Sequence, residues 1–444
     1  MTGVQRCGVS QTVTYHLSRV THHAFRIVSR ILLASELGAN YGHLARLAGL
    51  AEHLRAGGHQ LLFAVRDLKA AAEVLGSRGF AFVQAPFFLR RGRAPAPPAN
   101  HAEMLALEGY ADEASTWGRV RGWMSLAQLF RADAMVADHS PGALIAGRIL
   151  TLPQAQLGTG FEIPPHATPM PSIRPWEAIP GDRLLRSEQR LTELLNRVLR
   201  SFRGRELGNL AELFRTEARV LATFPEIDPF GPRLDERYVG PIFEHESGDA
   251  AEWPVGDRPR IFAYLRGDVP GAGTLLKALQ GAAASTICVF PGIRPAAIEK
   301  LASTRLRIVT RSVQLKSALR EADLGLMYGG HGLMCAALAA GVPMLIAPQT
   351  VEQYLHARRV EAAGAGVVMD QDRTLERSSA QIEQALGDEG LRSSARAFAA
   401  RHAGFDPARA IAEAAEIVGR IAGGRSGTPP DVVGPERGTS VKDC

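Results

Sequence analysis

Short apolar runs alternate with helical patterns twice along this chain of 444 residues. The first series opens with the run RILLAS at residues 30–35, and a helical stretch follows with Leu44, Leu47 and Leu50 at helical spacing. Two more apolar runs, HQLLFAV and FAFVQAP, are separated by another helical pattern. This strand-helix-strand rhythm predicts a parallel sheet covered by helices.

A second series of the same kind runs from IFAYLRG to AGVVMD, and a polar segment separates it from the first. Two α/β domains that face each other hold ligands in the cleft between them, at the carboxyl ends of their strands. The predicted boundaries are a disordered extension at 1–29, an N-terminal domain at 30–245, a linker at 246–258, a C-terminal domain at 259–405, a helix at 406–424 that packs back on the N-terminal domain, and a disordered tail at 425–444.

The net charge and the cysteine content indicate which ligands and which compartment suit this chain. The net charge of +6 is mild for this length and the arginines are spread along the chain, so we expect small anionic ligands and no nucleic acid. The four cysteines are far apart and form no CxxC pair, which indicates neither a disulfide framework nor a metal site and favours the cytoplasm. No apolar run reaches the roughly 18 residues of a membrane helix, so no transmembrane segment is predicted.

The stretch YGGHGLMCAALAAGVPMLIAPQTVEQYLHA at residues 328–357 is similar in spacing to a pattern of the UDP-glycosyltransferase superfamily, H-x-G-x-G-(S/T)-x-x-E-A-L-x-x-G-x-P followed by P-x-x-x-(D/E)-Q. The stretch GHLARLAGLAEHLRAGGHQLLFA resembles the opening of bacterial members. The resemblance covers roughly residues 30–424. It implies the GT-B fold: two facing Rossmann-like, doubly wound domains, the first binding an acceptor and the second a nucleotide sugar.

The resemblance places the donor on the C-terminal domain. Its diphosphate would lie at the strand-to-helix turn, where glycines let backbone N–H groups approach an anion. That turn comprises Tyr328, Gly329, Gly330, His331 and Gly332. Glu352 and Gln353 correspond to the acidic-Gln pair that binds the sugar hydroxyls, and Gln314 to a glutamine near the base and ribose.

Several family contacts are missing from this turn. Tyr328 stands in place of a phosphate-binding His, Leu333 in place of a Ser or Thr, Ala336 in place of a ribose-binding Glu, and His356 where an Asn is frequent. A hydrogen bond to a charged group contributes about 1.5–3 kcal/mol, so the losses weaken donor binding unless other groups compensate. The candidates for compensation are His331 and the Arg266-Gly267 loop, although Arg266 could instead form a surface ion pair with Asp268.

His43 follows the first strand and matches the catalytic base of the family, and Asp138 follows a later strand and matches its partner. A neutral His can remove a proton from an acceptor hydroxyl, and a carboxylate fixes its tautomer. The alternatives are a helix-start residue for His43 and a helix N-cap for Asp138.

The sequence therefore predicts an inverting, metal-independent glycosyltransferase that moves a sugar from a nucleotide-diphosphate donor to a small-molecule or lipid-like acceptor. No cofactor is expected beyond the nucleotide sugar as co-substrate. The missing contacts leave two alternatives open: a catalytically silent relative that binds or activates a partner protein, and a nucleotide-sugar epimerase.

Overall fold

A computed structural model describes residues 28–38, 41–89, 96–243, 248–254, 256 and 258–424. The predicted tail at 425–444 and most of the predicted extension at 1–29 lie outside the described residues, as do parts of the predicted linker. Ser29, at the end of that extension, is buried, and its hydroxyl donates to the Ala422 carbonyl at 3.1 Å.

The N-terminal half carries one parallel sheet. Its strands are β1 (Arg30–Ser35), β2 (Gln60–Val65), β3 (Phe82–Gln84), β4 (Ala134–Ala137), β5 (Gln154–Gly158), β6 (Ala218–Leu221) and β7 (Arg237–Tyr238). Its helices are α1 (Tyr41–Ala56), α2 (Leu68–Val74), α3 (His101–Leu105), α4 (Glu113–Phe130), α5 (Pro141–Leu150) and α6 (Gly181–Ser201). The strand order β3-β2-β1-β4-β5-β6-β7 reverses direction between β1 and β4.

The C-terminal half carries a second parallel sheet. Its strands are β8 (Arg260–Tyr264), β9 (Ser285–Val289), β10 (Leu306–Val309), β11 (Leu324–Met327), β12 (Met344–Ile346) and β13 (Gly366–Val368). Its helices are α7 (Ala272–Gly281), α8 (Pro295–Leu301), α9 (Leu315–Glu321), α10 (His331–Ala339), α11 (Val351–Ala362), α12 (Leu375–Gly387) and α13 (Glu389–Arg401). The order β10-β9-β8-β11-β12-β13 reverses between β8 and β11.

Both sheets have apolar clusters on their two faces, as parallel sheets require. This confirms the predicted α/β class with two doubly wound units. Ligands of such sheets bind where the strand order reverses, which is beside the carboxyl ends of β1 and β4 in one half and of β8 and β11 in the other. None of the helices within the described ranges is long and apolar enough to cross a membrane.

One strand lies in a segment whose composition is typical of loops. Residues 153–182 are rich in Pro and Gly, yet β5 occupies Gln154–Gly158 within them. The strand is fully buried although two of its five residues are glutamines. Gln156 explains the tolerance, because its side chain donates to the Phe214 carbonyl at 2.6 Å and so satisfies a buried polar group.

The last described helix, α14 (Pro407–Gly423), belongs to the core of the N-terminal half. Its buried residues Ala410, Ala414 and Val418 lie in the same apolar cluster as Leu47 and Leu50 of α1. The chain therefore crosses between the halves a second time, after α13. The described part of the predicted linker packs on the C-terminal half, where the Asp249 N–H donates to the Ser312 carbonyl at 3.0 Å.

Because α14 completes the N-terminal core, a charge at Val418 should destabilise that half. We expect Val418→Asp to lower the free energy of unfolding by about 3 kcal/mol or more, since the carboxylate would be buried without a partner. Urea denaturation followed by the fluorescence of the buried Trp123 measures this. The exposed Glu416→Ala on the same helix is the control, and an unchanged midpoint for Val418→Asp would contradict the packing.

Candidate active site

His43 and Asp138 meet at the reversal point of the first sheet. His43 lies in the first turn of α1, which follows β1, and Asp138 directly follows β4. Since β1 and β4 are neighbours, their carboxyl ends bring the two side chains together. His43 Nδ1 lies 2.8 Å from Asp138 Oδ1, with the imidazole 6% exposed and the carboxylate fully buried.

Arg46 joins this pair, which the sequence interpretation missed. It lies one helical turn after His43 on α1, and so faces the same way. Its Nη2 atom donates to both oxygens of Asp138, at 2.8 and 2.7 Å, and its Nε atom donates to Oδ2 at 3.1 Å. The same Nη2 also donates to Glu162 Oε1 at 2.8 Å. The sequence feature that could have identified Arg46 is a charged residue on the side of the α1 pattern that faces the core.

Glu162 joins His43, Arg46 and Asp138, and it lies in the Pro/Gly-rich segment after β5. The backbone N–H and the hydroxyl of Thr159 both donate to its Oε2 atom, at 2.7 and 2.9 Å. Its other oxygen lies 3.6 Å from His43 Nδ1. A lone acid in an irregular segment carries no periodic signal, so Glu162 could not be singled out from the sequence. We refer to His43, Arg46, Asp138 and Glu162 as the buried charge cluster.

The cluster sets the protonation of its members. Burial by itself lowers the pKa of His43, but the Asp138 carboxylate outweighs it and raises the pKa to about 9, while Arg46 opposes the rise. Burial would raise the pKa of Glu162, but Arg46 holds that pKa well below its usual range. His139, the residue after Asp138, is different: burial lowers its pKa to about 4, so it is neutral near pH 7.

Glu352 reaches the cluster from the other half of the molecule. It lies in the first turn of α11, and ligand atoms of His43, Glu162 and Glu352 all lie within 4.8 Å of one another. Burial and the nearby Glu162 raise the pKa of Glu352 to about 7. Because His43 is already bonded to Asp138 and Glu162 to Arg46, we assign no metal to these three groups, and metal independence stays a prediction.

The predicted donor turn lies between β11 and α10. Gly329 has φ 85°, and a Cβ there would lie 3.0 Å from Ile346 Cγ2, so this position requires glycine. Gly330 is the N-cap of α10 and has no side chain to accept from the first N–H groups of the helix. Gly332 lies against the other half, since a Cβ there would be 3.3 Å from Phe243 Cβ.

Two histidines of the C-terminal half contact the N-terminal half. His331 Nε2 lies 2.9 Å from the Thr223 hydroxyl, and burial holds its pKa well below the usual range, so it is neutral. His356 donates from Nδ1 to the Ile227 carbonyl at 3.0 Å and lies 3.1 Å from the Thr159 hydroxyl. His331 therefore contacts Thr223. His356, which replaces the Asn of the family pattern, lies between the two halves.

The other predicted donor residues lie at the carboxyl edge of the second sheet. Arg266 forms an ion pair with Asp268, with Nε donating at 3.0 Å and Nη2 at 2.6 Å, which is the alternative left open by the sequence. A Cβ added to Gly267 would lie 3.4 Å from Phe290 Cε2. Gln314 is the N-cap of α9, and Gln353 accepts from the Gln349 N–H at 2.8 Å.

Known proteins share this architecture. A family model described as "Erythromycin biosynthesis protein CIII-like, C-terminal domain" matches residues 278–419. A zeaxanthin glucosyltransferase from Pseudescherichia vulneris is 25% identical over 373 residues, which is 79% of this chain and 89% of that protein. The 4'-demethylrebeccamycin synthase of Lentzea aerocolonigenes is 26% identical over 397 residues, 81% of this chain and 92% of that protein.

Solved structures agree on the fold. The calicheamicin glycosyltransferase CalG4 has a TM-score of 0.68 at 19% identity, covering 90% of this chain and 100% of its own. The spinosyn rhamnosyltransferase SpnG complexed with thymidine diphosphate has a TM-score of 0.61 at 21% identity, covering 87% and 100%. The chain has the GT-B fold, and its sequence is similar to those of glycosyltransferases. The predicted superfamily, fold and transferase class are thereby confirmed for this glycosyltransferase, and the silent-relative alternative is not favoured.

The charge cluster of this glycosyltransferase predicts an unusual histidine titration. We expect the His43 imidazole to titrate near pH 9, because Asp138 favours its charged form. In Asp138→Asn the pKa should fall by more than 2 units, since burial then acts with less opposition. NMR titration of the imidazole Cε1–H signals measures both values. His139 is the internal control, because it should titrate near pH 4; a His43 pKa close to 6.5 in the unaltered protein would contradict the assignment.

Proposed function

We propose that this glycosyltransferase moves a sugar from a nucleoside-diphosphate donor to an acceptor hydroxyl with inversion, and that His43 is the general base. The observation that carries the proposal is the 2.8 Å contact between His43 Nδ1 and the fully buried Asp138, at the reversal point of the first sheet. The relatives support the reaction class, since one is named a zeaxanthin glucosyltransferase and structural neighbours were solved with thymidine diphosphate or spinosyn aglycone.

The geometry supports a single displacement. Nδ1–H of neutral His43 donates to Asp138, which leaves Nε2 with a free lone pair for the acceptor proton. As Nε2 takes that proton, the acceptor oxygen bonds to the anomeric carbon and the bond from this carbon to the diphosphate breaks on the opposite side. One displacement inverts the anomeric centre, and Asp138 stabilises the imidazolium that forms.

Arg46 tunes this base. Arg46 neutralises part of the charge on Asp138, which limits how strongly Asp138 holds a proton on His43. Because the pKa of His43 is about 9 in the free protein, only a minority of molecules carry the neutral base at pH 7. The value of kcat/KM should therefore rise with pH until His43 has lost its proton.

The donor would lie on the C-terminal half, with its diphosphate near the N-terminus of α10 and its sugar beside Glu352 and Gln353. A carboxylate that accepts from two sugar hydroxyls and an amide that both donates and accepts suit this task. The reacting sugar must fit between His43 and Glu352, whose atoms lie within 4.8 Å here. Donor binding therefore requires Glu352 or the two halves to move apart.

Loss of His43 should abolish most turnover. We expect His43→Ala to lower kcat by about 10²–10⁴-fold with little change in nucleotide affinity, because the base acts in the chemical step. Product formation from UDP-glucose or dTDP-rhamnose with a panel of phenols and carotenoid alcohols, detected by mass spectrometry, measures the rate. NMR of the product gives the anomeric configuration, which should be opposite to that of the donor.

The matched control is His53→Ala, which removes an exposed histidine from the last turn of the same helix. Its rate should equal that of the unaltered protein. Turnover by His43→Ala at the control rate would overturn the assignment of the base, and a product that keeps the donor configuration would overturn the inverting mechanism.

A further inference from the structure

Arg373 carries a half-buried charge without an acidic partner. It lies in the loop between β13 and α12, and partial burial lowers its pKa. No carboxylate in the described part of the chain lies within 4.0 Å of its nitrogens. Among the described residues its side chain makes one hydrogen bond, from Nη2 to the Pro348 carbonyl, which is long at 3.3 Å, and its buried Nε atom has no partner there.

Three arginines that are more deeply buried are paired with carboxylates. Arg46 bonds to Asp138, Arg119 lies 3.3 Å from Glu36, and Arg233 donates to Asp228 at 3.0 Å. A charge withdrawn from water without a counter-charge is costly, and such charges are retained where a ligand supplies the missing partner. The unpaired charge of Arg373, together with its neighbours, therefore indicates an anion that binds beside it.

Tyr328 supplies a second unused donor at the same place. Tyr328 is only 5% exposed, and although the Arg266 backbone N–H lies near its hydroxyl oxygen, the hydroxyl proton has no acceptor within the described ranges. The phenol and the Arg373 guanidinium are close enough to influence each other electrostatically. A buried hydroxyl normally has a partner, so this one is also available to a ligand.

Arg373 borders the start of α7. Gly271 is the N-cap of this ten-residue helix, has φ 83° and offers no capping side chain. A Cβ on Gly271 would lie 3.8 Å from Arg373 Cδ, so the arginine lies alongside the start of the helix. The first-turn N–H groups of a helix carry partial positive charge and favour anions. Loops that follow β8, β11, β12 and β13 thus converge on one electropositive place at the carboxyl edge.

We propose that Arg373 and Tyr328 bind the diphosphate of the nucleotide sugar, in place of the His and Ser or Thr that the donor turn lacks. This rests on the proposed function, because it assumes a nucleoside-diphosphate donor. An arginine fork matches two phosphate oxygens, and the tyrosine hydroxyl can donate to a third. Arg266, in the loop after β8, is already paired with Asp268. The two residues are binding residues that also stabilise the departing diphosphate.

Calorimetric titration with UDP, dTDP and GDP at low salt tests the assignment. We expect the unaltered protein to bind one of them, and Arg373→Gln to bind the same nucleotide at least tenfold more weakly, because a charged hydrogen bond is lost. Tyr328→Phe, which removes only the hydroxyl, should weaken binding by about threefold to tenfold. Arg377→Gln is the matched control, since Arg377 is exposed and paired with Asp372 at 3.0 Å.

The melting temperature of Arg373→Gln shows whether weaker nucleotide binding results from a less stable fold. Arg373→Gln removes an unpaired charge, so its melting temperature without nucleotide should equal or exceed that of the unaltered protein. Binding by Arg373→Gln within twofold of the unaltered protein, or equal weakening by Arg377→Gln, would overturn the role of Arg373. If the folded, unaltered protein binds none of the three nucleotides, the proposed function itself is overturned.

Discussion

A single buried carboxylate, Asp138, organises the carboxyl edge of the first sheet. It accepts hydrogen bonds from His43 and from Arg46, and so ties the end of β4 to the first turns of α1. Arg46 extends the connection to Glu162 and thereby to the segment after β5. Removing one partner from a buried ionic cluster leaves the others uncompensated, so the position of His43 and the packing of three neighbouring segments depend on the same ionic contacts.

The C-terminal half differs from the first half in the groups that it offers to an anion. Its predicted donor turn keeps the glycines that expose backbone N–H groups, but its imidazole is not free to meet a phosphate, because His331 contacts the Thr223 hydroxyl. Positive charge is found instead two strands further along the sheet, at Arg373 after β13. The altered family motif is therefore consistent with a site whose anion contacts have moved along the sheet edge, and it does not require that the site has been lost.

The sequence predicted what depends on local order. Strands and helices near the reversal points follow from apolar periodicity, and the family resemblance singled out His43 and Asp138, which the fold brings together. Arg46, Glu162 and Arg373 were missed, because their importance comes from partners, or from the lack of a partner, far away in the chain. The sequence did not indicate β5, because its two glutamines interrupt the apolar pattern of a buried strand. Burial of such a polar side chain depends on tertiary contacts, such as the hydrogen bond from Gln156 to the Phe214 carbonyl.

The return of α14 to the first half has a consequence for engineering. The proposed donor site lies on the C-terminal half, which invites exchange of C-terminal halves between relatives. A junction placed only between the sheets would also replace α14, and with it Ala410, Ala414 and Val418 in the core of the N-terminal half. A chimera that keeps its own α14, with a second junction after α13 (Glu389–Arg401), would exchange the second sheet and leave the N-terminal half with its native core.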